Sequence, residues 1–335
     1  MARLRRSTCA GPGIRRVRRG TGFSYESADG DPVDAAARQR IKDLVIPPAW
    51  KGVWICPWPN GHIQAVGFDA AGRKQYLYHP DWRRSRDAEK HRRVLELARA
   101  LPTARERVAV HLALPEPTRE RTLAAAFRML DLGFFRIGSE SYAEANGTFG
   151  LATMRREHVL VRGDSVLFEF MSKGSIQQHQ RIVDPDLARV LRSLLRRRDP
   201  NPDLLAWRQG RGRWRDLRSE DVNDYVRAVT RRDHTAKDFR TWNATVLMAQ
   251  ALAVSTRADA SPTARKRAVA RAVREVAEYL GNTPTVARGS YIDARIIDLY
   301  LDGVTIDPLL VERGMDGDGL PVHGPVERAV LRLLD

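Results

Sequence analysis

The dominant hydrophobic period of this chain changes close to residue 80, and that change limits the fold more than any other feature. Before it, short runs alternate: Val53-Trp54-Ile55, His62-Ile63-Gln64-Ala65-Val66-Gly67 and Lys74-Gln75-Tyr76-Leu77-Tyr78. Their aromatic and β-branched residues suit half-buried strands, and Pro59-Asn60-Gly61 and Ala71-Gly72 supply the turns between them. After it, apolar residues recur at helical spacing. Leu123, Phe127, Leu130 and Phe134 form one stripe, and Val269, Val273, Val276 and Leu280 form another. Ser261-Pro262 reads as an N-cap with proline in the first turn, and Gly281 as the stop of that helix.

The expected class is therefore α+β, with a small β-rich N-terminal domain and a larger, mainly helical domain. One β-hairpin should interrupt the helices, with His158–Val161 and Val166–Phe170 flanking the turn at Arg162-Gly163-Asp164-Ser165. Further helices are expected at Pro185–Arg198, Ser219–Arg231 and Phe239–Val254. A polar helix is expected from Asp81 to Ala100, ending near Leu101-Pro102 because proline lacks the amide hydrogen a helix interior needs. The domain layout predicted is 1–20 as a basic arm, 21–93 as the β-rich domain and 94–335 as the helical domain. The arm holds seven arginines and no acid, with Gly11-Pro12-Gly13 breaking any helix.

With 335 residues and 43% hydrophobic content, the chain is long enough and apolar enough for two cores. No apolar run reaches the roughly 18 to 20 residues of a membrane span, and no apolar stretch follows the N-terminal arginines as a secretory signal requires. Cys9 and Cys56 are too few for a disulfide framework, which fits a reducing cytoplasm. Lys plus Arg outnumber Asp plus Glu by 57 to 41, so polyanions are the natural partners. The acids after Asp302 concentrate that excess upstream. Asp316-Gly317-Asp318-Gly319 has the look of a calcium loop, but Leu320 takes the fifth position and no acid closes it; it reads as a turn, and no metal site is expected.

Individual residues leave alternatives open. Arg240, between Phe239 and Trp242, suits a planar anion, either a phosphate or an internal carboxylate. Arg136 follows two aromatics at a helix end, where it serves the helix dipole or a second contact to the same anion. Lys173 lies just past a strand, as an exposed turn lysine or as a side chain that swings into a groove. Tyr291 is a half-buried core residue or a nucleophile, with Asn282, Arg288 and Ser290 close in sequence.

Taken together the motifs resemble the type IB DNA topoisomerases, particularly the compact bacterial enzymes related to the poxvirus ones. The resemblance runs from about Gly20 to about Tyr300. It rests on Ile46-Pro47-Pro48-Ala49-Trp50, Pro59 through Ala65, Gly72 through Tyr76, Phe135-Arg136-Ile137-Gly138, Thr235 through Trp242 and Leu280 through Pro284. It implies that Arg136, Arg240 and Asn282 bind the scissile phosphate of double-stranded DNA. It implies that Lys173 protonates the departing 5′-oxygen and that Tyr291 becomes joined to the 3′-phosphate. Gln75, Tyr76 and Tyr78 match positions that contact the major groove, and Lys74, Lys237 and Arg288 are expected to add DNA contacts. The family departures are Met171-Ser172-Lys173-Gly174-Ser175 at the lysine turn, Asn243 in place of a small residue, Gly289 before the Ser-Tyr pair and Asp293-Ala294 after it.

Such chemistry needs no cofactor, because the covalent phosphotyrosine conserves the bond energy, and no phosphate-cradling loop of the P-loop type is present. The resemblance implies a monomer associated with the nucleoid, with its β-rich part on one face of the duplex. The nearest rival is a tyrosine recombinase. Those enzymes usually carry histidine three residues before the second arginine, where this chain has Lys237. A non-catalytic DNA-binding protein is the other rival, and the five retained catalytic side chains argue against it.

Overall fold

The computed structural model describes residues 3–210, 212–255, 261–314 and 323–335. The chain divides into two compact units, residues 1–90 and 91–335.

The first unit is built on a five-stranded antiparallel sheet in the order β2-β1-β3-β4-β5. Its strands are β1 (Ile14–Arg19), β2 (Gly22–Glu26), β3 (Lys51–Ile55), β4 (Ile63–Phe68) and β5 (Lys74–Tyr78), with helix α1 (Ala35–Asp43) between β2 and β3. Ile14, Ile41, Val53, Ile55 and Ala65 form its core, with Tyr25, Trp50 and Leu77 packed against them.

The segment expected to be a basic arm is instead part of this sheet. Ile14 is buried, and β1 pairs with β2 on one side and β3 on the other. Arg19 pairs with Glu26 at 3.3 Å, while Arg16 and Arg5 find neutral partners. Arg16 donates to the carbonyls of Ile46, Pro47 and Trp50 and lies over the Phe23 ring at 4.3 Å, while the Arg5 guanidinium sits 3.5 Å from the Trp58 centroid. Long cationic side chains of this kind cover apolar surface while keeping their hydrogen bonds, so charge density alone misleads. Gly13 lets the chain pass Trp54, because a Cβ there would lie 2.0 Å from the indole nitrogen.

Helix α2 (Pro80–Leu112) begins in the first unit and ends in the second. It does not stop at Pro102. The stripe Leu97, Leu101, Ala104, Val108 and Leu112 continues through the proline and is buried throughout. That burial outweighs the lost backbone hydrogen bond and the ring clash of an interior proline, together about 3 kcal/mol.

The second unit is mainly helical, around one large core. Its helices are α3 (Arg119–Leu132), α4 (Glu140–Asn146), α5 (Pro185–Leu195), α6 (Ser219–Thr230), α7 (Ala236–Ala253), α8 (Pro262–Leu280), α9 (Pro284–Ser290), α10 (Ala294–Leu301), α11 (Pro308–Gly314) and α12 (Pro325–Leu334). Caps fall where the sequence places them. Ser261 Oγ accepts from Ala264 N, and Gly281 ends α8 in the left-handed conformation at φ 58°. Leu123, Phe127 and Leu130 face the core from α3, while Phe134 lies beyond its end and is still buried. Helix α7 is buried along almost its whole length.

The expected hairpin supplies two strands of a three-stranded sheet, β6 (Val159–Arg162), β7 (Ser165–Ser172) and β8 (Ile176–Val183). The third strand, Ile-Gln-Gln-His-Gln-Arg-Ile-Val, is too polar to stand out from sequence, yet it pairs along the full length of β7. A second hairpin, β9 (Ala206–Gln209) with β10 (Arg213–Asp216), was also unforeseen, since its residues are mostly arginine and tryptophan.

A buried charged cluster ties α12 to the interior. Arg105 donates to both oxygens of Asp131 at 2.9 Å and to Glu327 at 2.6 and 2.9 Å, and Glu327 accepts from Trp242 Nε1 at 2.8 Å. Burial alone would raise the Asp131 carboxyl, but His323 and Arg105 reverse that and hold it below the ordinary carboxylate range. The turn expected at Asp316–Gly319 lies outside the described residues. Among those described, no helix is long and apolar enough to cross a membrane.

Candidate active site

The site starts from the way α8 ends. At Gly281 the chain turns left-handed, and the amide of Asn282 returns to Ala277 O at 2.9 Å. This closing turn leaves the carbonyls of Leu280 and Gly281 for outside donors. Glycine suits 281, because its φ is positive and a Cβ, 2.5 Å from Gln178 Nε2, would push that side chain aside. Arg240 Nη2 donates to Leu280 O at 2.9 Å and Arg136 Nη2 donates to Gly281 O at 2.7 Å. Both Nη2 groups also reach Asn282 Oδ1, at 2.8 Å from Arg136 and 3.1 Å from Arg240. With the amide oxygen committed to two cations, the Nδ2 hydrogens of Asn282 remain as neutral donors.

Arg240 comes from the second turn of α7 and is 3% exposed. Its Nη1 donates to the carbonyl of Phe134, on the segment that leaves α3 and carries Arg136. Its Nε is buried without a partner among the described residues. Burial lowers the guanidinium pKa first, and the like charge of Arg136 lowers it further; the neighbouring Tyr291 partly offsets both. It remains a cation at neutral pH. Every hydrogen-bond partner named for Arg240 is a neutral oxygen, and no carboxylate lies within ion-pair distance of it among the described residues. Of the two partners its sequence allowed, the internal carboxylate is not the one present. A buried cation without a counter-charge, next to a second guanidinium, makes a site for an anion.

Tyr291 caps the C-terminal end of α9, where its amide donates to Ala287 O at 3.0 Å. The side chain is half-buried, and the Arg240 guanidinium carbon lies 5.1 Å from its ring centroid. Thr245 of α7 ties the same segment down, accepting from Asp293 N at 3.2 Å. Tyr291 therefore rests on the core and also borders the cationic cluster.

Lys173 is exposed at the tip of the β7–β8 hairpin, in the turn Lys173-Gly174-Ser175 closed by the Ser172–Ile176 pair. Gly174 and Ser175 both take positive φ, 84° and 55°. The turn is joined to the cluster through Ser172, whose Oγ lies 3.4 Å from Arg136 Nη1.

The structure thus brings Arg136, Arg240, Asn282 and Tyr291 together and sets Lys173 one residue from a cluster member. Lys237, in the first turn of α7, and Arg288, on α9, are both exposed. In the first unit, Tyr76 and Tyr78 share the open face of the edge strand β5, with rings stacked at 6.0 Å and Lys74 Nζ 5.6 Å from the Tyr76 centroid. Gln75 points to the other face and donates to Asp69 at 2.9 Å. Strand alternation separates it from the two tyrosines.

Sequence reading missed the glutamines of β8. Gln180 Oε1 accepts from Phe134 N at 3.0 Å, and Gln178 lies against Gly281. Their signal was weak, two amides at alternate positions directly after the lysine turn.

Comparison with known proteins matches residues 79–298 to the eukaryotic DNA topoisomerase I catalytic core and residues 22–69 to the bacterial DNA topoisomerase IB N-terminal domain. A DNA topoisomerase 1B of Acanthamoeba polyphaga mimivirus is 28% identical over 294 residues, covering 86% of this chain and 87% of the viral protein. The DNA topoisomerase 1B of vaccinia virus (strain Copenhagen) is 21% identical over 243 residues, 72% of this chain and 74% of its own. The human mitochondrial DNA topoisomerase I is 30% identical over 168 residues, which is 48% of this chain and 26% of that protein.

Proposed function

The chain belongs to the type IB DNA topoisomerases, and from that premise we propose that Tyr291 is its nucleophile and that Arg136, Arg240 and Asn282 hold the scissile phosphate. The observation that carries this assignment is the convergence of both guanidiniums on Asn282 Oδ1, at 2.8 and 3.1 Å, beside the Tyr291 ring.

The phenolic oxygen of Tyr291 attacks the phosphorus of one strand. The bond from phosphorus to the 5′-oxygen breaks, and the phosphate stays on the 3′-end as a phosphotyrosine. The phenolic proton leaves to water. Charge grows on the non-bridging oxygens as the new bond forms, and the two arginines and the Asn282 amide meet it with donors already in place. One such prearranged donor is typically worth about 3 to 4 kcal/mol. Because both arginines are anchored to backbone carbonyls, their reorganisation at the moment of reaction is small. The 5′-alkoxide is a poor leaving group, and Lys173 supplies its proton. In the reverse step the 5′-hydroxyl returns that proton to Lys173 and attacks the phosphotyrosine, the bond from phosphorus to the Tyr291 oxygen breaks, and the phenolate regains its proton from water as the strand is restored. Between the two steps the nicked duplex rotates.

We further propose that the protein acts as a monomer on chromosomal DNA in the cytoplasm. The expected boundary near residue 93 is close to the division at residue 90, and the two units then serve as the DNA-gripping and catalytic domains. Tyr76, Tyr78 and Lys74 in the first, and Lys237 and Arg288 in the second, are contacts to the duplex, while Gln75, on the opposite face of β5, supports the turn at Asp69 instead. Most of these contacts would be to phosphates, so binding weakens steeply as salt rises.

Purified protein should relax positive and negative supercoils in EDTA without ATP, and Tyr291→Phe should abolish relaxation while keeping DNA binding. A well-folded wild-type sample without relaxation activity would refute the proposal.

A further inference from the structure

We propose that Asn243 is a positioning residue for the phosphate site, fixing the segment that leaves α3 and carries Arg136. The inference rests on the cleavage reading given above. Asn243 is one of the positions where the chain departs from the pattern it resembles, and it has no part in the chemistry just described.

Asn243 is 2% exposed and lies three residues after Arg240, on the same side of α7. Its Nδ2 lies 3.2 Å from Leu130 O, 3.1 Å from Asp131 O and 2.9 Å from Gly133 O. These oxygens surround the end of α3, where carbonyls have no partner within the helix. Many helices answer this with a left-handed residue that folds the chain back onto them. Helix α3 does not, because Gly133 is extended at φ −124° and ψ −175° and the chain runs straight on. The amide of Asn243 does the capping from another helix. Its orientation follows from chemistry, since an oxygen in that place would face three oxygens.

The next residues are held as tightly. Phe134 N donates to Gln180 Oε1 at 3.0 Å, Phe134 O accepts from Arg240, and Arg136 O accepts from Leu151 N at 2.8 Å. One turn of α7 therefore does two things. Asn243 fixes where α3 ends, and Arg240 grips the exit one residue later. The distance between the two guanidiniums is set by this pairing. Without the Asn243 amide, the carbonyls of Leu130 and Gly133 lose this donor inside the core, Asp131 O keeps His323 Nε2 at 3.1 Å, and the Arg136 arm shifts relative to Asn282.

The test is single-turnover cleavage of a duplex carrying one cleavage site, measured well below the melting temperature. Asn243→Ala should slow cleavage by about ten- to a hundredfold, the scale of a 1 Å misplacement. DNA affinity, measured with Tyr291→Phe present to block cleavage, should change less than about twofold. The discriminating readout is coupling. Added to Arg136→Ala, Asn243→Ala should cause no further slowing, while added to Lys173→Ala it should multiply in full, because residues acting through one group are not additive. Equal slowing in both backgrounds, or an Asn243→Ala variant as fast as wild type, overturns the positioning role. Should Asn243→Ala fail to fold, Asn243→Ser, which keeps one donor, takes its place in the same cycle with the same criteria. A wild type that forms no covalent adduct refutes the cleavage reading itself, whereas an active wild type with an equally active Asn243 variant refutes only the positioning role.

Discussion

The phosphate cradle and the turn that carries Lys173 meet at Ser172, yet they are built on opposite terms. In the cradle, Arg240 is almost wholly buried and gives hydrogen bonds to Phe134, Leu280 and Asn282. In the turn, Lys173 is exposed, and the two residues after it occupy positive φ. The roles proposed for them explain the contrast. Donors that stabilise developing charge work best when fixed before the reaction, since any rearrangement adds to the barrier. A general acid must reach an oxygen that moves as its bond breaks, and it must give and take back a proton, which suits a side chain at a hairpin tip.

The comparison can be broken most forcefully at Arg240. Arg240→Ala should slow cleavage by about a thousandfold or more, adding the loss of a transition-state donor to the shift of the carbonyls it holds. It should also lower stability by about 1 to 3 kcal/mol, because the Phe134 and Leu280 carbonyls are left without that partner. Single-turnover cleavage and denaturant unfolding measure the two effects separately. A variant that loses activity with unchanged stability would mean the arginine is not anchored as described.

Lys173→Ala should slow cleavage by about a hundredfold and leave stability within about 0.5 kcal/mol, as for other exposed positions. Replacing the departing 5′-oxygen with sulfur, a better leaving group, should restore most of the rate. If sulfur does not help, Lys173 is not the acid. Asn282→Asp sharpens the cradle from inside. The carboxylate still accepts from both arginines but has no hydrogens to donate. Stability should hold or rise while cleavage falls by about ten- to a hundredfold, the worth of one donor or somewhat less. Equal activity would show that the Asn282 amide never donates to the phosphate. The smallest effect is expected from Gly174→Ala. Its Cβ finds open space, with nothing closer than Ile176 Cδ1 at 3.9 Å, so only the cost of positive φ is felt. Cleavage should slow less than about tenfold, and a larger loss would mean the turn geometry itself is part of catalysis.

The legible and illegible parts of the sequence divide along the same line. Helix α8 was readable because Ser261, Pro262 and Gly281 mark its ends locally, and the Gly281-Asn282 turn that founds the cradle came with it. The alternating strands β3, β4 and β5 were readable from period alone. What failed was whatever depended on a partner far away in the chain. The strand β1 seats Arg16 on distant carbonyls and an aromatic ring. Helix α2 outlasts Pro102 because of what its later turns bury. The polar strand β8 exists only as a mate for β7. The candidate site was named residue by residue through resemblance, but its anchoring was not. Nothing local to Asn243 announces that it caps a helix that ends more than a hundred residues earlier.

The most direct measurement is the identity of the covalent bond. A duplex with one labelled strand is cleaved, the complex is trapped in denaturant and digested, and the DNA-bearing peptide is sequenced by mass spectrometry. The account predicts a 3′-phosphate ester on the phenolic oxygen of Tyr291, and no such peptide from Tyr291→Phe. An adduct on any other residue, or one that retains the 5′-end of the strand, would contradict it.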